Sequence, residues 1–229
     1  MSDHSVLVVI PAKARSTRIP GKNLKDLCGK PMMAYIIETA KGAKGVDRVV
    51  VTTESEEIKK VAERYGAEVP FLRPPELTSD TATSQEVVSH ALSALKAHDG
   101  YDPEYVLLLY PTSPLLSRER VEQAIALAIE KDADSVVSGY YDKGHYWIED
   151  KGAWKRLYPV HPVNSQYQDP LFKENGAIYM TRALALQKQK QLLADRVQVL
   201  LMDPDENIDV DYPEDFARVE ATLRDRRGT

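Results

Sequence analysis

The strongest constraint on the fold is an alternation: short aliphatic and β-branched runs take turns with longer segments of helical period. The runs at 6–10, 48–52, 69–72, 105–110, 135–140, 177–180 and 197–202 predict strands. Segments 32–41, 54–65, 84–96, 118–131, 182–193 and 213–224 predict helices. Several of the strand runs are apolar at nearly every position, as expected of strands covered on both faces, so this order predicts a three-layer α/β fold around a mostly parallel sheet. Thr53 with Glu56, Thr83 with Glu86 and Asp211 with Glu214 have the spacing of capping boxes at helix starts. With 229 residues and no composition break, one domain over 1–229 is expected.

One stretch, 140–174, breaks the alternation. It holds both tryptophans and no helical period, and reads as an insertion that covers one end of the sheet or packs on another subunit.

Composition excludes several classes. Thirty Lys and Arg against 35 Asp and Glu give a net charge of -5, which argues against non-specific nucleic-acid binding and requires any anion site to be local. No apolar run approaches the roughly 20 residues that span a bilayer. Cys28 is the only cysteine, so neither an intrachain disulfide nor a Cys-rich zinc site is expected. The N-terminal residues show no basic segment followed by a long apolar one, and a cytoplasmic location is the expectation.

Against that acidic background the loop after the first strand carries Lys13, Arg15, Arg18 and Lys22, with Ser16 and Asn23 among them. In open α/β sheets ligands gather at the carboxyl ends of the strands, where this loop lies, and its cations suit phosphate. A solvated basic loop is the plainer reading. The glycine spacing of a Walker A loop or a dinucleotide-binding turn is missing.

A second cluster, Asp209 and Asp211, follows the last strand. Side chains two apart in extended chain share a face, so both carboxylates can meet one cation while Ile208 and Val210 turn to the core. Oxygen ligands of this kind suit Mg²⁺, which uses one or two carboxylates together with substrate phosphates. A helix N-cap is an equally ordinary role for Asp211, though not for Asp209. The polar segment 73–84 offers groups that read the edge of a base, or a plain capped loop. Pro111 and Pro114 stiffen the turn that closes the strand at Tyr110.

Ile10-Pro11-Ala12 with Pro20-Gly21-Lys22-Asn23, Arg73-Pro74 with Ser79-Asp80-Thr81, Pro111-Thr112-Ser113-Pro114, Asn175 through Tyr179, and Ile208 through Asp211 occur in this order along nearly the whole chain. Together they resemble the acylneuraminate cytidylyltransferases, or CMP-sialic acid synthetases, and relatives acting on other acidic sugars of the nonulosonate type. The resemblance implies a nucleotide-diphospho-sugar transferase fold, a homodimer built partly through the 140–174 excursion, CTP and Mg²⁺. It implies catalytic roles for Lys13, Arg18, Lys22, Asp209 and Asp211, with the two aspartates on the metal. For CTP it implies contacts from Lys13, Arg15, Ser16, Arg18, Lys22 and Asn23, and for cytosine from Arg73, Ala82 and Ser84. Tyr110, Gln166, Asn175 and Tyr179 fall where the family handles the acidic sugar.

Three positions depart from that pattern. Lys13 stands where an Arg is usual and Tyr110 where a Gln is common, while Leu192-Leu193 replaces aromatic residues. Ser16 through Lys22 looks more like the 3-deoxy-manno-octulosonate cytidylyltransferases, which keeps an eight-carbon acid open as substrate beside a nine-carbon one. Two further readings stay open: a homologue that binds nucleotide without turnover, and a sugar-1-phosphate nucleotidyltransferase, which Ala14 in place of a more glycine-rich loop disfavours.

Overall fold

The computed structural model describes residues 4–158, 164, 167, 169–206 and 208–228. The chain opens with β1 (Val6–Pro11), a 3-10 turn (Lys22–Leu24), the two-residue strands β2 (Asp26–Leu27) and β3 (Lys30–Pro31), and α1 (Met32–Gly42). It continues through β4 (Arg48–Thr52), α2 (Glu56–Arg64), α3 (Ser84–Asp99), β5 (Tyr105–Leu108), α4 (Arg118–Glu130) and β6 (Ser135–Asp142). The hairpin β7 (Trp147–Asp150) and β8 (Ala153–Arg156) follows, then β9 (Leu171–Arg182), α5 (Ala183–Gln189), β10 (Val197–Leu201) and α6 (Pro213–Arg227).

Among the described residues the main sheet has six strands in the order β10-β6-β9-β5-β1-β4. β1 runs parallel to β4 and β5, and β6 parallel to β10, while β9 is antiparallel to both β5 and β6. Alternate residues of β1 feed opposite cores, as the two-residue strand period requires. Val6, Val8 and Ile10 pack with α1, α2 and α4 side chains such as Ile36, Ile58 and Ile125. Leu7 and Val9 pack with Val88, Leu92 and Leu95 of α3 and Leu186 of α5. Helices therefore cover both faces. A smaller cluster under α6, with Phe216 and Val219 against Ile19, Leu27 and Tyr35, clamps the loop that follows β1.

Several local expectations are corrected. The run at 69–72 is not a strand: the single bridge to β4 is made by the residue before it, Glu68 with Val50, and Pro70 then has no N–H to continue a ladder. α2 starts after Ser55, whose Oγ accepts from the Ile58 N–H, and not after Thr53. Lys190 in the left-handed conformation ends α5 at Gln189, short of residue 193. The stretch 140–174 is more regular than expected, since it contains the end of β6, the β7–β8 hairpin and the start of β9. Thr83 and Glu86 do form a capping box at α3.

β6 and β9 approach so closely at Gly139 that a Cβ there would lie 2.2 Å from the Lys173 carbonyl oxygen and 2.6 Å from the Phe172 ring. Backbone cannot yield as a flexible side chain does. Gly139→Ala is therefore expected to cost at least about 2 kcal/mol by overpacking, read as a lower denaturant midpoint; an unchanged midpoint would show that the strands separate freely there.

Candidate active site

The loop after β1, the turn after β5, Asp80 of the segment before α3 and the segment after β10 come together at the carboxyl ends of the parallel strands. They enclose a crevice of about 560 Å³ lined by Lys13, Arg15, Ser16, Arg18, Lys22, Asn23, Tyr110, Thr112 and Asp211 among others. Beside it lies a smaller cavity of about 230 Å³ lined by Arg73, Leu77, Ala82, Ser84, Val87 and Tyr110. Lys13, Asp80, Pro11 and Tyr110 belong to both walls.

Lys22 connects the two ends of the chain. Its Nζ donates to the Val210 carbonyl and lies 3.6 Å from Asp211 Oδ1, with the side chain 13% exposed. Burial lowers its pKa, opposed by the attraction of Asp211 and Asp209. Arg18 Nη1 meets the same Asp211 oxygen at 2.8 Å while its guanidinium lies over the Tyr212 ring, and the hydrogen bond to Asp211 raises its pKa. Asp211 is not the helix cap. Tyr212 holds that position, Asp215 in the first turn reaches back to accept from the N–H groups of Asp211 and Tyr212, and the Asp211 carboxylate lines the crevice.

Asp209 sits one step deeper. Burial away from water raises its carboxyl pKa, the Thr112 hydroxyl bond opposes that, and the like charge of Asp211 adds to the rise. Thr112 also accepts the Val210 N–H through its carbonyl at 2.8 Å, which stitches the turn after β5 to the aspartate segment. Room for the Asp209 side chain comes from Gly176, whose missing Cβ would stand 3.4 Å from Oδ2 and whose φ of +72° favours glycine.

The other expected residues divide by position. Asn23 is buried and donates from Nδ2 to the Lys13 carbonyl, bracing the basic loop. Lys13 Nζ pairs with Asp80 at 2.6 Å, across the mouth shared by the two cavities. Arg15 and Ser16 line the large crevice. In the small cavity Arg73 is only 4% exposed at its side chain and holds Glu54 at 3.2 Å, while its Nε is buried without a hydrogen-bond partner among the described residues. Asn175 Oδ1 accepts from Ser138 Oγ at 2.6 Å and from the Ala177 N–H, so its amide braces β6 against β9. Tyr179 donates to Glu174 Oε2 at 2.9 Å, and burial pushes its hydroxyl pKa up. The Tyr110 hydroxyl lies 2.6 Å from Ser84 Oγ. Gln166 lies outside the described residues.

Sequence reasoning missed Glu54 and Glu174, and gave no role to Asp80 and Thr112 although both lie in the motifs quoted above. Glu54 ties the basic loop to Arg73, accepting from the Ala14 N–H at 2.7 Å as well as from Arg73. Its place just past the end of β4 was the available signal.

A model of the cytidylyltransferase family matches residues 7–219, almost the whole chain. The chain belongs to the cytidylyltransferase family. It is therefore a nucleotidyltransferase enzyme. Among similar proteins is the CMP-N,N'-diacetyllegionaminic acid synthase of Legionella pneumophila, 34% identical over 225 residues, which are 95% of this chain and 96% of that protein. The pseudaminic acid cytidylyltransferase of Campylobacter jejuni is 30% identical over 93% of this chain and 94% of its own length. The fold is also that of a solved CMP:2-keto-3-deoxy-manno-octonic acid synthetase complexed with CTP, with TM-score 0.73 at 18% identity over 97% of this chain and 99% of that one. Among the described residues of this cytidylyltransferase no helix is long and apolar enough to cross a membrane.

Proposed function

We propose that this cytidylyltransferase transfers CMP from CTP to the anomeric hydroxyl of an acidic nine-carbon 2-keto sugar, of the legionaminic, pseudaminic or sialic acid type, and releases pyrophosphate. The observation that carries the reading is Lys22 and Asp211 side by side in one crevice, with Asp209 near enough for its charge to act on Lys22 and a cavity of base size alongside. In this reading Arg73, Ala82 and Ser84 hold cytosine, and Lys13, Arg15, Ser16, Arg18, Lys22 and Asn23 line the path of ribose and phosphates. Asn175 and Tyr179, beyond Asp209, border the sugar. Lys22 and Arg18 orient the triphosphate so that the sugar oxygen approaches the α-phosphorus opposite the pyrophosphate, and their charges offset the negative charge that builds there.

The carboxylates fit a divalent cation. Two hard oxygen donors close enough for Asp211 to raise the Asp209 pKa gain from a positive charge between them. Among the described residues no group of three or more acidic, His or Cys side chains could hold a metal, so Mg²⁺ at Asp209 and Asp211 would need substrate phosphates and water to supply the rest. When bound, Mg²⁺ supplies charge neutralisation at the phosphates. Arg18 and Lys22, now paired with Asp211, are the cations that would meet the phosphates, and Asp211 with Asp209 would hold the ion.

The reading also carries a homodimer and a cytoplasmic address. The β7–β8 hairpin exposes Trp147, Ile148 and Trp154, the last at 66%, as a subunit contact would. The test is pyrophosphate release from CTP and Mg²⁺ with a panel of legionaminic, pseudaminic, sialic and 3-deoxy-manno-octulosonic acids. Turnover of a nine-carbon acid is expected. Preference for the eight-carbon acid would overturn the sugar assignment, and silence across the panel the whole reading.

A further inference from the structure

Tyr110 is the residue where sequence resemblance and geometry part. It leaves β5 just before Pro111, and its carbonyl accepts the Ser113 N–H at 3.1 Å, so the turn fixes where its ring points. The ring meets Tyr179 edge to face, with centroids 6.2 Å apart and planes at 85°. The hydroxyl is 2.6 Å from Ser84 Oγ, and both residues line the cavity that holds Arg73. Ser84 is the first residue of α3, a helix locked in place by the Thr83 and Glu86 capping box, so the Ser84 backbone cannot drift from this partner.

Two hydroxyls that share one hydrogen bond carry two protons. One lies between them and the other remains to donate to a ligand. Arg73 is a pure donor, and its buried Nε has no partner among the described residues. The polar corner of the small cavity thus presents donors, set against apolar walls from Leu77 and Val87. Such a corner suits the acceptor edge, O2 and N3, of a cytosine.

We infer that Tyr110 is a positioning residue for the nucleotide and not a contact of the acidic sugar: its hydroxyl sets the Ser84 hydroxyl at the base, and its ring, braced by Tyr179, divides the base cavity from the phosphate crevice. This rests on the CTP reading above. The phenol in place of an amide at this position thereby moves the residue's influence from one substrate to the other, because a rigid ring reaches Ser84 where a short amide has no comparable span.

The test is kinetics of Tyr110→Phe, Ser84→Ala and the double variant, with CTP and sugar varied separately, together with calorimetry of CTP binding in the absence of sugar. Loss of one hydrogen bond predicts a rise of about fivefold in both the KM and the Kd for CTP in Tyr110→Phe, with kcat and the sugar KM within about twofold. Ser84→Ala is expected to match it, and the double variant to be no worse than either single one. A rise in the sugar KM with unchanged CTP affinity would overturn the inference, as would no change in any constant or fully multiplicative effects of the two variants. If the wild type releases no pyrophosphate with any sugar, the reading of the reaction fails, while the calorimetric comparison still decides the role of Tyr110; if the wild type binds no CTP, both fail.

Discussion

Asp209→Asn combined with Asp211→Asn is expected to lower turnover by at least about a thousandfold while leaving the fold intact, since the charge stabilisation at stake amounts to several kcal/mol. The reason for the intact fold lies in the sign of the Asp209 shift. Its carboxyl pKa is raised, so folding disfavours the charged form, and that penalty is fully present at neutral pH and relieved as pH falls through the raised pKa. A neutral amide of the same shape removes the penalty. The amide introduced in place of Asp211 would still offer Arg18 an oxygen where the carboxylate now lies 2.8 Å away. Circular dichroism and melting should therefore match the wild type, while pyrophosphate release disappears. Chelation of divalent ions should reproduce the loss in the unmodified enzyme, and added Mg²⁺ should reverse it. Wild-type rates in the double variant would sink the carboxylate assignment, and full activity in excess chelator would sink the metal.

Lys22→Met is expected to reduce kcat/KM by about 10²–10³, the usual effect of removing a preorganised charge from a site where charge builds up. Lys22 is suited to this role because the fold holds its side chain largely buried, where an opposite charge interacts more strongly than at the surface. Its lowered pKa means that folding already resists its charge, so the Met variant should melt within a few degrees of the wild type. Lys13→Ala provides the contrast. That cation is more exposed and already shares a surface pair with Asp80, and its loss is expected to cost less than about tenfold. Equal losses for the two lysines would show that the crevice acts through its summed charge, with no special place for Lys22.

Much of this was legible in the residues. β1 and β4 are apolar on both faces because helices cover both, and their patterns needed no partner to be read. The extent of β9 was not. Leu171 through Gly176 are polar or partly exposed, and their strand character comes from pairing with β6, which shows only once the two are side by side. The 69–72 run failed in the opposite direction: its composition suits a strand, but the register with β4 stops at Glu68.

The site divides in the same way. Reading along the chain identified the basic loop and the two carboxylates, because their chemistry is carried by residues close together in sequence. It left Asp211 open between a cap and a ligand, and Tyr110 on the sugar side. Tyr212 at the cap, with Asp215 reaching back to it, takes the cap role from Asp211, and the bond to Ser84 is the ground for the inference on Tyr110.

From the sequence alone came the strand and helix alternation, the absence of a phosphate loop of the Walker type, and the cluster of cations in one loop with carboxylates in another. Local composition suffices for these, because backbone preference and side-chain period act over a few residues. Which loops face each other was decided by the sheet order. Lys22 and Val210 are 188 positions apart and touch because β1 lies in the interior of the sheet while the segment after β10 folds back over its end. Contacts of that span depend on how the whole core packs, and no short window of residues contains them.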